Sequence, residues 1–111
     1  MKTIIIYKGD VGVISVTGRL DASNTTTFKE EFLKWLNETN EFVLDLSRLE
    51  FIDSTGLGGI VACMKYASEK DGDLKIACLQ SKPRMVFEIT RANKIFDIYD
   101  DVATAVESYG S

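Results

Sequence analysis

No histidine occurs anywhere in the 111 residues. That removes Ser-His-Asp triads, Cys-His dyads, imidazole metal ligands and the usual general base near neutral pH. No catalytic residue, cofactor or metal ligand set is assigned, and the chain is expected not to be an enzyme. Cysteine is scarce: Cys63 and Cys78 are the two present. Neither has another metal-ligating residue type at useful spacing, and both read as small apolar core residues with reduced thiols. Long hydrophobic runs are also missing. Ile4-Ile5-Ile6 is too short for the apolar core of a signal peptide, and nothing approaches the length of a membrane span. A cytoplasmic location without membrane insertion is the expectation. Clustered basic residues are lacking too. With 13 Lys and Arg against 17 Asp and Glu, the net charge is -4, and the sequence argues against direct binding of nucleic acid.

What is present suits a globular chain. Hydrophobic residues make up 45 % and charged residues 27 %, enough to fill one core, so residues 1–111 read as a single domain. Two strands, Thr3 to Tyr7 and Val11 to Thr17, flank a turn at Lys8-Gly9-Asp10 and form an antiparallel hairpin. A polar loop, Gly18 to Asn24, ends in N-cap candidates. From Thr25 to Glu38, Phe28, Phe32, Trp35 and Leu36 share one helical face, and Asn37 and Asn40 suit its end. Glu41 to Leu46 is a strand buried on both faces. Leu57, Ile60, Val61, Met64 and Ala67 mark a second helix, stopped near Asp71-Gly72-Asp73. Leu74 to Leu79 is another strand, and Pro83 sits in the first turn of a third helix that Asn93 closes in a left-handed conformation. Ile95 to Tyr99 is a short extended piece, and Asp100 and Asp101 open a last helix. Alternation of this kind predicts an α/β fold: a mixed, mostly parallel sheet of about five strands with about four helices.

The stretch Asp53-Ser54-Thr55-Gly56-Leu57-Gly58-Gly59 carries the most information. It places a serine at a helix N-terminus among three glycines. A serine there is most simply an N-cap. Glycine inside a helix costs about 1 kcal/mol relative to alanine. Gly58 and Gly59 therefore need a reason: close packing on the sheet, or close approach of a partner. A nucleotide loop fits poorly, since there is no Gly-x-Gly-x-x-Gly, no Gly-Lys-Ser/Thr, and no lysine between Ser54 and Met64. Ser54 is also a weak nucleophile, because Asp53 is too poor a base to activate it. It can still be acted on by another protein's base, as a kinase substrate is.

On Asp53-Ser54-Thr55-Gly56-Leu57-Gly58, Gly18-Arg19-Leu20-Asp21, and Val43-Leu44-Asp45-Leu46-Ser47 leading to Phe51-Ile52-Asp53, the chain resembles the anti-sigma factor antagonists. These are the single-domain form of the STAS family. The resemblance spans essentially the whole chain. It implies a STAS-like fold and a partner-switching role in transcription regulation. The unphosphorylated protein would bind an anti-sigma factor that is also a serine kinase, releasing the sigma factor. Phosphorylation would end that binding, and a metal-dependent serine phosphatase would reset it. Carried onto this sequence, the phosphoacceptor is Ser54, and the partner-binding surface is Asp21, Ser23, Asp53, Thr55, Gly56, Leu57 and Gly58. Arg19 stands where the family often has an acidic residue, and spacing alone leaves Thr55 open as a second acceptor. Two other readings stand beside this one: a STAS subunit of a lipid transporter complex, and a small-molecule or nucleotide sensor built on the Gly56-Leu57-Gly58 turn. The basic residues Lys82, Arg84, Arg91 and Lys94 around the third helix read by default as a salt-bridged surface.

Overall fold

The computed structural model describes residues 1–110. Its elements run β1 (Lys2–Lys8), β2 (Val11–Leu20), α1 (Thr25–Trp35), β3 (Glu41–Asp45), β4 (Leu49–Ile52), α2 (Ser54–Glu69), β5 (Asp73–Ala77), α3 (Ser81–Ile89), a 3-10 turn (Ala92–Lys94), β6 (Ile98–Tyr99) and α4 (Val102–Glu107). The sheet order is β1-β2-β3-β5-β6, with β4 beside the end of β2. Only the β1–β2 pair is antiparallel; β2–β3, β2–β4, β3–β5 and β5–β6 are parallel. The fold is therefore the mixed, mostly parallel α/β arrangement that alternation implied.

Two apolar layers flank the sheet. On one face Ile14, Val16, Phe42, Leu44, Leu74 and Ile76 pack against Phe28 and Phe32 of α1, Leu57 and Ile60 of α2, and Phe87 of α3. The Phe32 and Phe42 rings lie 4.5 Å apart. Each such side chain taken fully from water contributes about 1.5–3 kcal/mol. On the other face α4 covers Val11, Val13, Val43 and Ala77 with Ala105. Alternation along the strands sends neighbouring residues to opposite layers, which is why Val43 and Leu44 are both buried.

Several local expectations differ from the structure. β2 continues through Gly18 and Arg19 to Leu20, pairing with β4 across a register shift, so part of the expected polar loop is strand. β4 itself is a sixth strand that the hydrophobic pattern did not mark, because Glu50 and Phe51 are both exposed. α1 ends at Trp35, short of Glu38, and Trp35 and Leu36 are half-buried. β5 stops at Ala77 because Cys78 takes a left-handed conformation, φ 60°. Cys78 is thus half-exposed at a strand end, whereas Cys63 lies in the core, where burial pushes its thiol up to about 12. The left-handed residue after α3 is Arg91, not Asn93, which lies in the 3-10 turn. Of Ile95 to Tyr99 only Ile98 and Tyr99 form strand. Among the described residues the one ion pair is Arg19–Asp21, so Lys82, Arg84, Arg91 and Lys94 are not a salt-bridged surface.

Candidate functional site

Ser54 is the first residue of α2, and its neighbour Asp53 is the cap. Asp53 is extended (φ -103°, ψ 178°) and its Oδ1 accepts the Gly56 amide at 2.7 Å. Serine and aspartate are both good caps; the carboxylate takes the position and leaves the serine free. Ser54 is exposed, and its hydroxyl has no hydrogen-bond partner among the described residues. Ser54 is therefore not the cap that its place before the helix suggests.

The other oxygen of Asp53 ties the turn to the loop after β2. Oδ2 accepts the Ala22 amide at 3.1 Å, and the Asp53 amide donates to Leu20 O at 3.3 Å. Within that loop Asp21 Oδ1 accepts both the Ser23 amide at 3.0 Å and the Ser23 hydroxyl at 2.5 Å. These donors, with help from Arg19, hold the Asp21 carboxyl below its ordinary range. Asn24 takes the expected N-cap position of α1, but its side chain makes no cap bond; it accepts the Asp21 amide and donates to Arg19 O, folding the loop back on β2. Thr25 is buried and donates its hydroxyl to Asp21 O at 2.6 Å.

Two glycines let these pieces close. A Cβ on Gly56 would overlap the Leu20 carbonyl, a backbone group that cannot step aside. A Cβ on Gly59 would stand 2.5 Å from the Thr25 methyl. Close packing therefore accounts for these two. Gly58 is different: it is exposed and a Cβ there would meet nothing within 4 Å.

The structure brings together Asp21, Ser23, Asp53, Ser54 and Thr55 at one end of the sheet. Ser23, Ser54, Thr55 and Gly58 are exposed, and Asp21 and Asp53 are half-buried. Gly56 and Leu57 turn inward, Leu57 into the core, so they position the surface rather than form it. Sequence reasoning gave no role to Phe51, which is exposed beneath the Arg19 guanidinium at 4.0 Å from ring centroid to Cζ. Nor did it find the groove of about 240 Å³ lined by Phe51, Ile52, Pro83, Met85, Val86 and Ile89. The signal was Phe51-Ile52 directly before the motif, with Met85 and Ile89 four apart on a short helix. Among the described residues no group of three potential metal ligands assembles, and no helix is long and apolar enough to cross a membrane.

The family model of the STAS domain matches residues 4–105. The chain belongs to the STAS domain family. A candidate anti-sigma factor antagonist of Thermotoga maritima is 33 % identical over 100 residues, covering 88 % of each chain. The crystal structure of a candidate anti-sigma factor antagonist from Thermotoga maritima superposes with a TM-score of 0.88 at 30 % identity, covering 96 % of this chain and 92 % of that one. The anti-sigma-B factor antagonist of Bacillus subtilis is 26 % identical over 85 residues, covering 77 % of this chain and 78 % of the relative. The Bacillus cell fate determinant SpoIIAA in its phosphorylated form shares the fold, with a TM-score of 0.75 at 16 % identity, covering 97 % of this chain and 99 % of that one. At the Ser54 turn of this STAS domain, the hydroxyl has no partner among the described residues, and the backbone beside it is anchored through both oxygens of Asp53.

Proposed function

We propose that this STAS protein is an anti-sigma factor antagonist, a binding module switched off by phosphorylation of Ser54. The observation that carries the reading is the division of labour at the turn: Asp53 caps α2, so the Ser54 hydroxyl is exposed and uncommitted. Membership of the family and the names of the relatives support it.

The module itself does no chemistry in this reading. The kinase partner supplies ATP and a carboxylate base. The Ser54 Oγ forms a bond to the γ-phosphorus, the bond from that phosphorus to the bridging oxygen breaks, the hydroxyl proton passes to the base, and ADP leaves. A serine phosphatase returns the hydroxyl by hydrolysis. In the bound, unphosphorylated state the exposed set Ser23, Ser54, Thr55 and Gly58, with the edges of Asp21 and Asp53, meets the anti-sigma factor.

Physical chemistry makes the switch local. A phosphate brings a charge of about -1.5 to -2 at neutral pH. At a helix N-terminus the amides and macrodipole favour it, so the fold tolerates it. A partner packed against Ser54 would instead bury that charge beside Asp53. A loss of about 3 kcal/mol lowers affinity roughly a hundredfold.

The test is incubation with the anti-sigma factor kinase and ATP, followed by peptide mass spectrometry and binding measurements. One phosphate on the Ser54 peptide is expected. Ser54→Ala should bind the kinase and remain unmodified, and Ser54→Asp should bind weakly. Phosphate on Thr55 alone, or normal binding by Ser54→Asp, would overturn the assignment.

A further inference from the structure

Among the described residues Arg19 is the one cation in an ion pair, and it stands at the serine-bearing end. It lies near the end of β2, opposite Phe51 in the β2–β4 register. Its backbone is fixed, since its carbonyl accepts from the Asn24 side chain at 2.9 Å. Its guanidinium is held by two contacts only: Nε is 3.5 Å from Asp21 Oδ2, and Cζ stands 4.0 Å over the Phe51 ring. The side chain is 60 % exposed. Exposed ion pairs and exposed cation–π contacts are each worth about 1 kcal/mol or less. The head group is therefore easily redirected.

The strand end that carries Arg19 runs beside the backbone that leads to Ser54. Leu20 pairs with Ile52, and the Asp53 amide donates to Leu20 O, so the end of β2 and the start of α2 lie side by side. The carboxylates near a phosphate on Ser54 differ in what they could give up. Asp53 has one oxygen on the Gly56 amide and the other on the Ala22 amide. It would repel the new dianion and cannot turn away. Asp21 keeps the Ser23 amide and hydroxyl on Oδ1 even if Arg19 leaves Oδ2. Releasing Arg19 thus leaves no carboxylate without donors. A planar guanidinium matches a phosphate with two parallel hydrogen bonds, and a dianion competes better for it than a carboxylate does.

We infer that Arg19 is a phosphate-responsive switch: phosphorylation of Ser54 draws its guanidinium from Asp21 and Phe51 onto the phosphate. This rests on Ser54 being the phosphoacceptor. The consequence is a second change on the partner face beyond the added charge. The Asp21–Ser23 loop loses its counterion and Phe51 loses its cover, while the phosphoprotein gains an internal clamp that preserves its fold.

Other charged groups are placed to be tested against it: Asp21 and Asp53 in the loop and turn, Lys29 of α1, which reaches toward Gly59, and Lys82 of α3 at the Phe51 groove. The experiment is a phosphorus-31 NMR titration of the full chain phosphorylated on Ser54, as wild type, Arg19→Ala, Arg19→Lys and Lys29→Ala. A phosphoserine normally takes its second proton near pH 6. In the wild type this midpoint should lie lower than in Arg19→Ala by about half a unit or more, because a cation beside the phosphate favours the dianion. Arg19→Lys should fall between, and Lys29→Ala should match wild type. The Asp21 and Ser23 amide resonances should move on phosphorylation in the wild type and much less in Arg19→Ala. Equal midpoints in wild type and Arg19→Ala, or a shift lost in Lys29→Ala instead, would overturn the switch. Failure of the kinase partner and ATP to place phosphate on Ser54 when the sample is prepared would instead sink the phosphoacceptor reading, and the switch with it. Arg19 is mostly exposed, so loss of fold does not confound these variants.

Discussion

Helices α2 and α4 begin in the same way and are used differently. Each is capped by an extended aspartate whose Oδ1 accepts the amide three residues on: Asp53 from Gly56 and Asp101 from Thr104, both at 2.7 Å. Beyond that the two ends diverge. At α4 the first helical residue is Val102, half-buried against the sheet, and Thr104 faces solvent. At α2 the first residue is the exposed Ser54, and Gly56 lies against the Leu20 carbonyl. The cap motif alone does not make a site. The second oxygen of Asp53, the glycine contact and the Asp21–Asn24 loop turn an ordinary helix start into a rigid platform.

The largest expected effect comes from filling the third helical position at each end. Gly56→Ala must displace backbone and should cost about 3 kcal/mol, lowering the melting temperature by roughly 10 °C. Thr104→Ala, at the same position of α4, should leave melting nearly unchanged. Thermal unfolding of both by circular dichroism makes the comparison, and equal effects would mean the α2 platform is no tighter than the α4 start.

Next come the caps. Asp53→Ala loses bonds to two segments and should cost about 2 kcal/mol. Asp101→Ala should cost less, since it loses one bond at an exposed end. Asp101 also carries a pH signature. The Thr104 donors hold its carboxyl below the ordinary value in the folded protein. Its stabilising contribution is therefore complete above the unfolded carboxylate value of about 3.9 and is lost as pH falls through the lower folded value. The melting difference between wild type and Asp101→Ala should be present at neutral pH and fade in acid.

These pairs show what could be read from residues alone. Strand alternation and the Phe28–Phe32 spacing marked the sheet and α1 because burial dictates them. The site was legible as a motif, since serine among glycines at a helix start is unusual. Its internal arrangement was not. Asp53 and Ser54 both suit a cap, and what decides between them is which side chain the Gly56 amide meets, Asp53 Oδ1 in the folded chain. β4 escaped because an irregular four-residue strand exposes Glu50 and Phe51 together, which defeats a period of two. Cys78 and Arg91 adopt left-handed backbones that their side chains give no reason to expect.

A smaller effect separates packing glycines from the open one. Gly58→Ala meets no neighbour and should stabilise the helix by about 0.5–1 kcal/mol, while weakening binding to the anti-sigma factor if that partner approaches the backbone closely. Calorimetric binding beside a melting curve would read both. A variant that binds as wild type does would place Gly58 outside the contact surface.

The central claim is that Ser54 is presented for modification and is not used as a cap. Its most direct test is intact-protein and peptide mass spectrometry of wild type and Ser54→Ala after incubation with the kinase partner and ATP. One added phosphate is expected on the wild type, located on Ser54, and none on Ser54→Ala, with both proteins melting alike beforehand. Phosphate incorporated equally into both, or a Ser54→Ala protein that melts markedly lower as a lost cap would require, contradicts it.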